Sequence, residues 1–244
     1  MLERPVSIRR RSFLLGSGLT ALGLTGDNLG ASPVAAEETP RSCRPDDPLE
    51  ALKNGNDRFA AAWQSKNRAS TPQDRAQVMA SMWLDHCFLP ASVLDTGQAP
   101  WATILTCADS RVSPEWVFDA APSDLFVIRS AGNTAFDEAV ASIEYSVEVL
   151  KTQLIMVMGH SSCGAVDAAR RSEPLSPLLE RLVGPIRSCL NAGDDLEASV
   201  KSNAWNTAQQ LTEKSDLIGK AITENKLQIV VSYFNISNGV VSLI

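Results

Sequence analysis

Several things are scarce or missing in this 244-residue chain, and each absence narrows what it can be. An excess of basic residues is missing: 22 Lys and Arg stand against 28 Asp and Glu, for a net charge of −6. Such a surface argues against nucleic acid and anionic membranes as partners. No internal repeat and no low-complexity tract is present, which excludes solenoids and biased linkers. An unbroken membrane-length apolar run is also absent, since the weakly polar stretch to about Leu29 is interrupted by Gly16, Gly18, Gly23 and Gly26. Histidine occurs only twice, as His86 and His160. What remains, with 44% hydrophobic residues, is the composition of one ordinary globular domain.

The first 36 residues differ from the rest. Arg9-Arg10-Arg11-Ser12-Phe13-Leu14-Leu15 opens the stretch and Ser32-Pro33-Val34-Ala35-Ala36 closes it. This is the layout of a secretory signal, and its core resembles a twin-arginine signal, a route known for carrying folded proteins. Cleavage after Ala36 is expected, with residence outside the cytoplasm of a bacterial-type cell, in the periplasm. Removal takes away four basic and two acidic residues, leaving 18 minus 26, or −8. Residues 37–47 are polar and contain proline, and are expected to link the signal to a domain over 48–244.

That domain carries two motifs. Cys107-Ala108-Asp109-Ser110-Arg111 is followed, 53 residues after its cysteine, by His160-Ser161-Ser162-Cys163-Gly164. Two thiolates, one imidazole and one carboxylate suit tetrahedral Zn²⁺. Each motif follows a short apolar run, Trp101–Thr106 and Leu154–Met158, and both runs are expected to be buried strands of a parallel sheet. Residues at the carboxyl ends of such strands share a crevice, so the two motifs can meet there. A helix is expected from near Ser162, with Cys163 in its first turn, where helix dipole and metal favour thiolate. A purely structural zinc site, or buried cysteines, is the plainer alternative. Cys43, Cys87 and Cys189 are left over; in an oxidising compartment two of them could form a disulfide, or all three could be thiols.

Elsewhere the alternation of elements predicts an α/β fold with a mostly parallel central sheet flanked by helices. Asp47-Pro48 opens a helix through Lys66 and Thr71-Pro72 opens another, together an N-terminal helical arm. Pro114–Ala120 is expected as a short helix, Leu125–Arg129 as a strand and Phe136–Lys151 as a crossover helix. Residues 171–224 should form helices broken at Gly184-Pro185 and Gly193. Leu227–Phe234 is expected as a further strand, with a hairpin turn at Asn238-Gly239 leading into Val240–Ile244.

The chain resembles the β-class carbonic anhydrases over roughly residues 48–244. Besides the two motifs, the similar stretches are Gln98-Ala99-Pro100, Asp124 to Arg129 with Ala131-Gly132-Asn133, Ser142-Ile143-Glu144-Tyr145 and Gly159-His160, with weaker similarity over Leu227–Val241. The resemblance implies a zinc enzyme, one ion per subunit, interconverting carbon dioxide and bicarbonate as a homodimer or higher oligomer. It implies that Cys107, His160 and Cys163 hold the metal, and that Arg111 keeps Asp109 off it so that Asp109 can accept a hydrogen bond from the attacking oxygen. In a closed state Asp109 would be the fourth ligand. The subgroup with that regulated closed site carries tryptophan three residues before the first cysteine; here the residue is Ile104, which favours the open site. Gln98, Phe126, Tyr145 and Gly164 match substrate-binding positions, the first three reaching a site across a subunit interface. Two thiolates should make bound water less acidic than imidazoles do, which Asp109 would offset. His86 matches no family motif and is expected to be structural or exposed. Rival readings are a related zinc hydrolase acting on carbon disulfide or carbonyl sulfide, and a silent zinc-binding scaffold; retention of Asp109, Arg111 and Gln98 speaks against the scaffold.

Overall fold

A computed structural model describes residues 39–83 and 86–244. The expected leader, residues 1–36, lies outside the described residues, and of the expected linker 39–47 are described. Among the described residues no helix is long and apolar enough to cross a membrane.

Helix α1 spans Pro48–Arg68, capped by Asp47, whose carboxylate accepts from the N–H groups of Leu49 and Glu50, with proline in the first turn and Lys66 and Arg68 in the last. Thr71 caps α2 (Pro72–Met79) in the same way. A short α3 (Ala91–Leu94), not anticipated from sequence, precedes strand β1 (Ala102–Cys107). There follow α4 (Pro114–Val117), β2 (Leu125–Ser130), α5 (Asp137–Glu148), β3 (Leu154–His160), α6 (Gly164–Arg170), α7 (Pro177–Arg187), α8 (Leu196–Lys214), α9 (Asp216–Thr223), β4 (Gln228–Asn235) and β5 (Val240–Leu243).

The five strands form one sheet in the order β2-β1-β3-β4-β5, parallel except for the last pair. This is the expected α/β fold. Every residue of β1 and β3 is buried, as when helices cover both faces. Successive side chains serve opposite layers: Ile104 and Met156 pack toward Leu52, Phe59 and Phe118, while Leu105 and Val157 pack toward Ile143, Ala204 and Leu211. The chain passes from β1 to β2 on one side and then crosses back over β1 to β3 on the other, so the strand order reverses between β1 and β3, where open α/β sheets leave a crevice at the strands' carboxyl ends.

Two local expectations are corrected. The helix over 177–187 is not broken at Gly184-Pro185; α7 continues through Pro185, giving up the one bond that its missing N–H would have made, and Ser188 closes it after Arg187. Cys163 is the N-cap of α6 rather than a first-turn residue, because Ser162 adopts a left-handed φ of 56° and the helix starts only at Gly164.

Helix α1 meets the hairpin that leads into β5. Asn56 of α1 donates to the carbonyls of Val117 (3.0 Å) and Gly239 (2.9 Å), and accepts from the N–H of Val241 (2.8 Å). The stretch before α1 is tied down too: Cys43 is disulfide-bonded to Cys87, and Arg44 donates to the carbonyls of Pro100 (2.6 Å) and Lys151 (3.2 Å). Cys189 is left as a free thiol. The sequence could not choose among three cysteines; the fold does, with a 5.6 Å Cα separation for the first two.

Candidate metal centre

Cys107 ends β1 and His160 ends β3, so adjacent parallel strands deliver a thiolate and an imidazole to the same crevice. Cys163 arrives from the tight turn that follows. The ligand atoms of these three buried residues all lie within 4.8 Å of one another. The two sulfurs are 4.0 Å apart, close to the roughly 3.8 Å that two 2.3 Å zinc–sulfur bonds at a tetrahedral angle require. His160 Nδ1 lies 3.0 Å from the carbonyl of Ser161. That contact makes Nδ1 the N–H donor and turns the lone pair of Nε2 inward, where this fully buried atom has no protein partner. An orphaned imidazole nitrogen beside two thiols fits a metal ion.

The electrostatics agree. The Cys107 thiol is pushed down to about 4, chiefly by the Cys163 S–H donated to it and against the effect of burial, with further help from the N–H groups of Gly132 and Asp109. Cys163 is driven up, by its bond to the Cys107 thiolate and by burial. Without metal the pair therefore keeps one proton between the sulfurs, which a dication would displace.

Asp109 stands at the rim. Arg111 holds it from three directions: Nε and the backbone N–H to Oδ1, each 2.9 Å, and Nη2 to Oδ2 at 2.7 Å. Arg111 Nη2 also donates to the Ser162 carbonyl at 3.1 Å, joining the two motifs. The Arg111 side chain holds the Asp109 carboxyl well below the usual range, although partial burial opposes it. Asp109 Oδ2 is 3.9 Å from His160 Nε2, near the ligand set without bonding into it.

The other expected site residues are placed elsewhere. Gln98 is exposed and precedes the amino end of β1, the end opposite Cys107. Phe126 pairs in register with Thr103, four residues along β1 from Cys107, or about 13 Å. It is half-buried, 6.2 Å ring to ring from Tyr145, which is 46% exposed. Gly164, the first residue of α6, borders Cys163, and a Cβ there would meet nothing within 4 Å. One chain therefore does not bring Gln98, Phe126 and Tyr145 to its own thiolates. Sequence reasoning missed Arg129, which spans the loop after β1 by donating to the carbonyls of Cys107 (3.1 Å), Asp109 (2.7 Å) and Val112 (2.7 Å). It also missed the Gly132 N–H, 3.3 Å from the Cys107 sulfur. The sequence marked both only as parts of stretches similar to the family, without a role, because their contacts depend on β2 lying beside β1.

Fold and site together define an open parallel-sheet metalloprotein with a thiolate–imidazole centre at its switch point. Residues 102–241 match the family described as carbonic anhydrase. The chain is 34% identical over 202 residues to carbonic anhydrase 2 of Mycobacterium tuberculosis, covering 78% of this chain and 88% of that one. A Coccomyxa β-carbonic anhydrase solved with acetazolamide is 25% identical, with a TM-score of 0.57 over 70% of this chain and 81% of that one. One of two tetrameric β-carbonic anhydrases from Sordaria macrospora, 24% identical, shares the fold with a TM-score of 0.57 over 77% and 97% of the respective chains. This chain belongs to the β-class carbonic anhydrases.

Proposed function

We propose that this chain is a zinc-dependent carbonic anhydrase, hydrating carbon dioxide reversibly to bicarbonate and a proton, and that it works as an exported homo-oligomer. The observation that carries the catalytic reading is the buried Cys107–His160–Cys163 donor set with an orphaned Nε2, next to a carboxylate that Arg111 keeps ionised. Cys107, Cys163 and His160 would hold the ion, the last oriented by its bond to the Ser161 carbonyl. Bound zinc supplies a Lewis acid that makes water a nucleophile near neutral pH, a property for which carbonic anhydrases are the usual illustration. Asp109, ionised and fixed by Arg111, would accept a hydrogen bond from the attacking water and so orient its lone pair toward the carbon of the substrate. With both its oxygens engaged by Arg111, Asp109 is held off the ion, which supports the open form of the site.

Gln98, Phe126 and Tyr145 lie away from their own chain's centre, and Tyr145 is exposed. A second subunit that presents them to its neighbour's site accounts for this placement, and a tetrameric relative shares the fold. The twin-arginine-like Arg10-Arg11-Ser12-Phe13-Leu14 supports export to a bacterial periplasm with loss of residues 1–36.

Stopped-flow hydration by the chain from residue 37 tests the reading. Rapid turnover is expected with one zinc per chain, lost on chelation and restored by zinc; a fully loaded chain without turnover refutes it. Subunits carrying Gln98→Ala mixed with subunits carrying Asp109→Ala should regain activity if the site is shared; no recovery refutes sharing. Changing Arg10 and Arg11 to Lys should keep the chain in the cytoplasm, and unchanged export refutes the route.

A further inference from the structure

A buried amide on α8 is unused by the mechanism above. Asn203 is 1% exposed, and its Nδ2 donates to the carbonyl of Gly132 at 2.8 Å. Gly132 belongs to the turn that leaves β2. The N–H of Asn133 donates to the Ser130 carbonyl at 3.1 Å, and Gly132, third of the four residues, has a φ of +77°. A four-residue turn with positive φ at its third position is type II, in which the peptide between the second and third residues is flipped relative to type I. That peptide carries the Gly132 N–H, and its direction lets it donate to Cys107 Sγ at 3.3 Å. A side chain here would be strained by the left-handed φ, and its Cβ, 2.5 Å from Ile186 Cδ1 and 3.1 Å from Ala165 Cβ, would make its neighbours shift. Gly132 is thus gripped at both ends, its carbonyl by Asn203 and its N–H against the sulfur.

We propose that Asn203 is a positioning residue for the metal centre: it locks the Ser130–Asn133 turn so that the Gly132 N–H draws charge from the Cys107 thiolate. The inference rests on Cys107 being a metal ligand. Two thiolates donate strongly to a metal ion and blunt its acidity. A thiolate that accepts an N–H is a weaker donor, so the turn restores some of the ion's pull on water. Asn203 acts through two successive hydrogen bonds without touching metal or substrate.

Cobalt(II) in place of zinc gives a sulfur-to-metal charge-transfer band that reports the donor strength of the thiolates. Asn203→Leu, similar in volume but without the donor, should move the band to lower energy and reduce kcat by about 10-fold or more, with little change in KM. Asn203→Gln, which keeps an amide, should recover part of both. A folded, loaded Asn203→Leu chain with the wild-type band and kcat overturns the proposal; a merely structural amide would leave the band in place. Should that variant fail to fold, the unaltered chain loaded with ¹¹³Cd decides: scalar coupling between the metal and the Gly132 amide proton supports the proposal, and its absence overturns it. An unaltered chain with no charge-transfer band on cobalt addition refutes the metal reading itself, and this inference with it.

Discussion

Two Asp–Arg–His groupings occupy this molecule, and they differ in what they leave unsatisfied. Around Asp119, Arg58 Nε lies 2.6 Å from Oδ2, while His86 Nε2 and the N–H of Trp83 lie 3.0 and 3.1 Å from Oδ1. The carboxylate is buried and fully subscribed. Burial works to raise its pKa, yet the bonds from His86 and Arg58 outweigh this and hold it below the ordinary range. Around Asp109 the residue types are the same, but His160 Nε2 stands 3.9 Å off with no partner, and the two nearby cysteines are free thiols. The Asp119 grouping lies by a pocket that Cys43 and Cys87 also line, and those two are joined to each other. A complete set of hydrogen bonds fastens α1, α4 and the segment around His86 together. The incomplete set has valence left for a metal and for chemistry.

The sharpest break in the comparison is catalytic. Asp109→Ala should lower carbon dioxide hydration by about 10²–10⁴-fold while zinc content and melting temperature stay near those of the unaltered chain; unchanged turnover in stopped flow would refute the role given to Asp109. The disulfide comes next. Replacing Cys43 and Cys87 by Ser frees a loop whose ends are 44 residues apart, worth about 2–4 kcal/mol in chain-entropy terms, or a fall of about 4–16 °C in Tm. Turnover per zinc should hold, and a loss of zinc would show that the two regions are coupled. Asp119→Ala leaves buried donors without an acceptor and should cost about 2 kcal/mol, or about 4–8 °C, again with turnover per folded chain retained. The smallest effect is in acid. Because the folded chain holds Asp119 below its unfolded value, its contribution is complete above about pH 4 and disappears as pH falls through the lower folded value. Urea midpoints should therefore drop less from pH 6 to pH 3 in Asp119→Asn than in the unaltered chain, and parallel drops would assign acid sensitivity to other carboxylates.

The metal centre was legible in the sequence because its donors follow two apolar runs whose parallel pairing brings their ends together. Helix starts were legible for a similar reason, since the Asp47-Pro48 and Thr71-Pro72 caps act within one turn. Pairings set by the fold at long range were not. Asp119 carried no signal, being one acidic residue after a short helix, and His86 could be described only as structural or exposed until α1 and α4 were placed around it. Asn203 looked like any polar residue on an amphipathic helix. Pro185 misled because a proline inside a helix costs the bond to the carbonyl four residues before it without having to end the helix, and α7 runs on through it to Arg187.

Asn56 sets an order of events. Its partners Gly239 and Val241 lie more than 180 positions later in the chain, and Gly239 comes within about 3 Å of Trp63 once a Cβ is imagined on it. Translation delivers α1 long before its clasp. Leu52 and Phe59 can settle on Ile104, Phe118 and Met156 before that, but Asn56 has only its Val117 partner until β5 exists. A chain cut short near Ser237 would therefore leave the Asn56 amide half-partnered, so that a loss at β5 would be felt in α1.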